Sequence, residues 1–168
     1  MNNFLSVNSA RFIVLVLIQA LLFNNINFLG YINPYPYILF VAFFPVKSNR
    51  TIIILASFLI GLITDMFLDS GGIHAAACVF IAYVRPVLLK FSFGTMYEHH
   101  HIKFSSVDFG SKLTYIIVLV ILHHIILFSL EIFSLMKIIL ILKKTLFSSI
   151  FTILLSSIIT IIFSRNPK

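Results

Sequence analysis

The chain has 168 residues, 60% of them hydrophobic and only 10% charged, with a mean hydropathy of +1.10. An ordinary soluble domain is roughly half apolar and about a quarter charged, so a water-soluble fold of this size is excluded. The 12 basic residues that produce the net charge of +7 are scattered between apolar runs, which excludes a nucleic-acid-binding stripe and fits loops held on the anionic, cytoplasmic side of a membrane.

The apolar residues come in runs of membrane-spanning length rather than at amphipathic spacing. The first, Phe12 to Phe23, follows Arg11 and has the length of a signal-peptide core. Asn24, Asn25 and Asn27 follow it without a small-residue cleavage pattern, so it reads as an uncleaved span over 12–29. The next run, Tyr35 to Val46, is short and accompanied by Pro34, Pro36 and Pro45. It is either a broken span or one that borrows preceding residues to cover 31–46.

Spans are also predicted over 51–68 and 73–89, joined by Asp69-Ser70-Gly71-Gly72, whose glycines can take the positive backbone angles that end a helix. That makes a tight helical hairpin. The polar stretch 90–112 is predicted to be a cytoplasmic loop, and 113–130 and 145–163 are the fifth and sixth spans. Between these last two, Phe133 to Leu142 either lies in the membrane interface or extends the final helix.

The fold class expected is therefore an all-α integral membrane protein, a single polytopic domain of about six transmembrane helices. Six crossings put both termini on one side. With both inside, nine of the 12 basic residues are cytoplasmic, and Lys137, Lys143 and Lys144 are the exceptions, so the orientation expected is N-in/C-in, five spans with a displaced C-terminus being the alternative. The sole cysteine, Cys78, lies in an apolar run and excludes an intramolecular disulfide.

Gly61-Leu62-Ile63-Thr64-Asp65 is the most informative segment, because an acidic group in or at the edge of a span is expensive to bury. Gly61, Asp65 and Asp69 recur at helical i, i+4 spacing and are expected to share a face, with Gly61 admitting another helix at close range. Two readings stand at this point: Asp65 is a functional intramembrane group, or it is the solvated end of its helix. Arg85, followed by Pro86, is placed near the cytoplasmic face, too far from Asp65 to pair with it, and is expected to snorkel to the headgroups.

Glu98-His99-His100-His101 invites a metal reading, but adjacent side chains diverge and no second ligand cluster accompanies them. No metal or cofactor is expected. His123 and His124 lie mid-span, where neutral imidazoles bonded to neighbouring helices are expected. Nothing matches a nucleophile elbow, a phosphate loop or a His-Glu-x-x-His zinc site, so catalysis is not indicated.

The order Asn33-Pro34, a short apolar run, a basic turn at Lys47 to Arg50, Gly61-Leu62-Ile63-Thr64-Asp65 and Gly71-Gly72-Ile73-His74-Ala75 resembles the rod-shape-determining MreD family. The likeness covers about Tyr31 to Lys90; beyond it only hydropathy and length agree. The resemblance implies a non-enzymatic protein of the bacterial inner membrane, a partner of MreC acting with MreB, RodA and a class B penicillin-binding transpeptidase. It also implies a fold shared with substrate-binding subunits of vitamin transporters, which makes a small-molecule transporter subunit the alternative. Against that alternative, the polar residues sit at the ends of spans, Gln19 and His123-His124 excepted. The candidate functional face is Gly61, Asp65, Asp69, Gly71, Gly72, His74 and Arg85.

Overall fold

The computed structural model describes residues 2–26, 32–46, 48–94, 97, 104 and 107–164. Helix α1 spans Asn2–Leu21, α2 Ile38–Phe43, α3 Arg50–Leu68, α4 Ile73–Phe93, α5 Phe109–Ile132 and α6 Ile138–Ser164. Single 3-10 turns lie at Phe23–Asn25 and Leu135–Lys137. Among the described residues, the four helices α3 to α6 are long and apolar enough to cross a membrane. At 1.5 Å per residue, even α3 measures about 28 Å, close to the thickness of a hydrocarbon core.

Each long helix packs on the next, α3 on α4, α4 on α5 and α5 on α6, while α1 lies against α3. Large apolar side chains face outward, including Leu55, Met66, Phe67, Val87, Phe91, Leu146 and Leu154. Ser57, Thr64, Ser148, Ser149, Thr152 and Ser156 are buried. This inversion of the soluble pattern suits a bundle whose solvent is lipid. Sequence signals set the helix starts: Asn49 caps α3 by accepting from the Thr51 N–H at 2.9 Å, and Asp108 caps α5 by accepting from the Ser111 N–H at 2.7 Å. Bonds from the Ser111 backbone and hydroxyl hold the Asp108 carboxyl below its ordinary range, so it carries its charge at the positive end of α5 at neutral pH.

Several predicted boundaries move. Helix α1 starts ten residues before the expected span and stops at Leu21, ahead of the asparagines; its apolar part, Asn8–Leu21, is shorter than a full crossing. Residues 27–31 and His99 to His101 lie outside the described residues. Helix α4 continues through Pro86 to Phe93, and α5 begins at Phe109, so the predicted loop 90–112 shortens at both ends. Of the stretch before the last span, Ile138 to Leu142 extends it, since α6 begins at Ile138, whereas Phe133 caps α5 and Leu135–Lys137 is the 3-10 turn.

The proline-led run is helical only in part. Only Ile38–Phe43 is helical, and the chain from Ile32 to Phe44 is almost wholly buried, in contact through α2 with α1, α3, α4 and α5. Irregular backbone away from water needs partners for its polar groups. Pro34 and Pro36 have no N–H to satisfy, the Tyr35 N–H donates to Thr152 Oγ1 at 3.1 Å, and Pro34 O accepts from Gln19 Nε2 at 3.4 Å. At the other end, the Arg85 guanidinium donates to Ala42 O and to Phe44 O, and Tyr115 Oη donates to Ala42 O at 3.1 Å.

Arg85 is thus a cationic cap on the negative end of a buried half-helix. It does not snorkel: it is buried, and its Nε donates to Tyr115 Oη at 3.1 Å. The expectation of a headgroup-facing guanidinium failed because α4 runs two turns past Arg85, which sets the residue inside the bundle. Arg85→Lys keeps the charge but offers one ammonium where a planar fork serves two carbonyls and a phenol. We expect a loss of about 1–3 kcal/mol, read as a lower midpoint for loss of the monodisperse species on heating in detergent. An unchanged midpoint would show that the fork is dispensable.

Candidate functional site

The α3–α4 hairpin gathers Gly61, Asp65, Ser70 and His74 at one end of the bundle. Helix α3 ends at Leu68 and is capped by Asp69, whose φ of 52° is left-handed, and Gly71 and Gly72 follow with φ of 68° and 94°. The glycines therefore turn the chain as expected. The start of α4 is left with free N–H groups, because its cap residue Gly72 has no side chain to accept from them. Asp65 supplies the missing cap from the neighbouring helix.

Its Oδ1 accepts from the His74 N–H at 3.0 Å and its Oδ2 from the Ala75 N–H at 2.8 Å. Oδ1 also accepts from Ser70 Oγ at 2.6 Å and His74 Nδ1 at 3.0 Å. The carboxylate is buried, and it sits at the positive end of the α4 dipole. The solvated helix-end reading does not hold. One turn earlier, Gly61 lets the first turn of α4 come into backbone contact: a Cβ there would lie 2.5 Å from Ala75 Cα and 2.6 Å from His74 O.

Gly61 and Asp65 do share the inward face, but Asp69 does not, because its left-handed conformation takes it out of helical register and leaves it exposed. Arg85 belongs to the distant cap of α2. A serine, a histidine and an aspartate in contact resemble a nucleophilic triad, yet Ser70 donates to the carboxylate and lies 3.1 Å from the same His74 Nδ1 that Asp65 holds. A triad needs the serine on Nε2. This arrangement is a cap.

Behind the hairpin lies a cluster that sequence reasoning reached only in part. The rings of His74, Tyr35, His124, His123 and Tyr37 make a closed circuit, with successive centroids 5.4, 5.6, 5.3, 5.5 and 6.1 Å apart. Tyr37 Oη bonds His123 Nε2 at 2.9 Å. His124 Nδ1 donates to Val120 O at 2.8 Å, which leaves Nε2 to accept from Thr152 Oγ1 at 3.3 Å. The mid-span histidines, the exceptions to the placing of polar groups at span ends, therefore bond to other elements as expected. Among the described residues, no group of His, Cys, Asp and Glu side chains is arranged to hold a metal.

Tyr37, Tyr115 and Thr152 were missed. Thr152 had a signal, since Thr145, Ser148, Ser149, Thr152, Ser156 and Thr160 recur every three or four residues along α6 and all are buried, the pattern of a helix-packing face in lipid. The tyrosines had none, because their partners are distant in sequence. No known protein family, curated protein or solved structure matches this chain.

Proposed function

We propose that the chain is a non-enzymatic inner-membrane component of the bacterial cell-elongation machinery, which organises lateral peptidoglycan synthesis through an MreC-type partner. MreB, RodA and a class B penicillin-binding transpeptidase would be indirect partners. The observation that supports this reading is the use made of the residues carrying the MreD resemblance. Gly61 seats Ala75, Asp65 caps α4 and the glycines turn the hairpin, while the proline-led run is the buried break. They act as one structural unit, which suits a scaffold that works by helix contacts. In this reading α1 and the broken segment provide the first two of six crossings, N-in and C-in.

A second reading, a small-molecule transporter subunit, draws support from the same break, because Tyr35, Tyr37, His74, His123 and His124 surround it inside the bundle. Interrupted helices beside buried polar groups are how transporters hold substrates. Expression in a rod-shaped bacterium depleted of its own MreD-type protein separates the two. Restored rods and recovery of the MreC-type protein with the tagged chain are expected. Spherical cells containing normal membrane amounts of the chain, with no such partner recovered, would overturn the proposal. For topology, a cysteine at Ser70 in a Cys78→Ala background should react with an impermeant reagent from outside, and one at Ser106 should not; the reverse pattern would invert the orientation.

A further inference from the structure

Of the three histidines in the buried circuit, His124 has both ring nitrogens bonded. The other two do not. His74 Nδ1 donates to Asp65, and His123 Nε2 is bonded to Tyr37 Oη, but His74 Nε2 and His123 Nδ1 are buried and find no partner among the described residues. His74 is 3% exposed and His123 0%. A buried polar atom left unpaired costs about 1–3 kcal/mol, and an internal molecule such as water is the ordinary means of satisfying such atoms.

The two atoms are also complementary in kind. Asp65 accepts from every group around it, so the Nδ1 of His74 carries the proton, and in neutral His74 the Nε2 presents a lone pair. When the Tyr37 hydroxyl donates to His123 Nε2, the His123 proton is on Nδ1. With His74 neutral and the Tyr37 hydroxyl donating, one orphan accepts and the other donates. Both rings pack against Tyr37, at 6.1 and 5.5 Å between centroids.

We propose that His74 Nε2 and His123 Nδ1 are the two walls of an internal site for one small neutral molecule that both donates and accepts, water being the probe of choice. The guest donates to His74 and accepts from His123. It joins the Asp65 cap at the hairpin to the Tyr37–His123 pair beside the α2 break in a single hydrogen-bonded chain. The site goes beyond the proposed function and holds for either reading of it, since it depends only on the side chains that line it.

The test is water-edited solid-state NMR on the full chain in lipid bilayers, with carbon- and nitrogen-labelled histidine assigned by single substitutions. Magnetisation from water should reach the ring carbons of His74 and His123 early, and those of His124, equally buried but fully bonded, late or not at all. His123→Phe should then slow the transfer to His74. Transfer to neither ring, or to only one of the two, would overturn the bridge. Early transfer to all three would overturn it as well, by showing a generally wet interior rather than a site. An unaltered His74 signal in His123→Phe would do the same.

Discussion

Replacing Gly61 by leucine is expected to open the α3–α4 hairpin. The first atom added, Cβ, would already stand 2.5 Å from Ala75 Cα, 2.6 Å from Ala75 N and 2.6 Å from His74 O. These are backbone atoms, so no side chain can swing aside to make room. Gly61→Ala should cost about 1–3 kcal/mol by overpacking, and Gly61→Leu more, because the whole side chain must enter a contact made of two backbones. Lipid solvates exposed apolar surface as well as protein does, so no hydrophobic drive restores the lost packing. The measurement is the yield of monodisperse protein and its thermal midpoint in detergent, beside Phe67→Leu, a change on the exposed face of the same helix that should be near neutral. Equal behaviour of Gly61→Leu and Phe67→Leu would refute close helix approach at Gly61.

Much of the hairpin was legible in the sequence because its devices are local. An apolar run of spanning length, two glycines at a turn and a glycine four residues before an aspartate each leave a mark within one or two helical turns. The break in the proline-led run was legible for the same reason, since prolines announce irregular backbone. What satisfies that backbone was not. Arg85 and Tyr115 reach Ala42 O from 43 and 73 residues away, and Thr152 reaches the Tyr35 N–H from 117 residues away.

Pairings at that separation have no period to read. The misplacement of Arg85 had a further, local cause. A charge followed by proline looks like the end of a span, whereas the helix continues through Pro86 because only one backbone bond is forfeited there. Asp69 shows the opposite error, a helical spacing carried one residue past the end of the helix, into a left-handed conformation. Each error extended or truncated a regular period where a non-local contact or a cap decided the outcome.

Asp65 should be the most sensitive polar position in the chain. Asp65→Leu removes the acceptor for the His74 and Ala75 N–H groups and for Ser70 Oγ, all drawn from the first turn of α4 or the turn before it. Loss of a helix cap costs about 0.5–2 kcal/mol, and buried donors left without an acceptor raise the total to about 3–5 kcal/mol. Asp65→Asn retains one oxygen but turns an NH2 group toward a backbone N–H, so donor faces donor at Oδ1 or Oδ2. A smaller loss of about 1–3 kcal/mol follows. The order expected is therefore wild type, then Asn, then Leu, both in thermal midpoint and in rod-shape rescue scored at matched membrane levels. Asp65→Glu tests the geometry separately, since it keeps the charge and both oxygens but sets them one methylene further out, where Gly61 has brought α4 too close to yield. If Glu and Asn both match the wild type in midpoint and rescue, the carboxylate is not the cap of α4. A loss of shape rescue at unchanged midpoint would instead assign Asp65 a role with a partner beyond the hairpin.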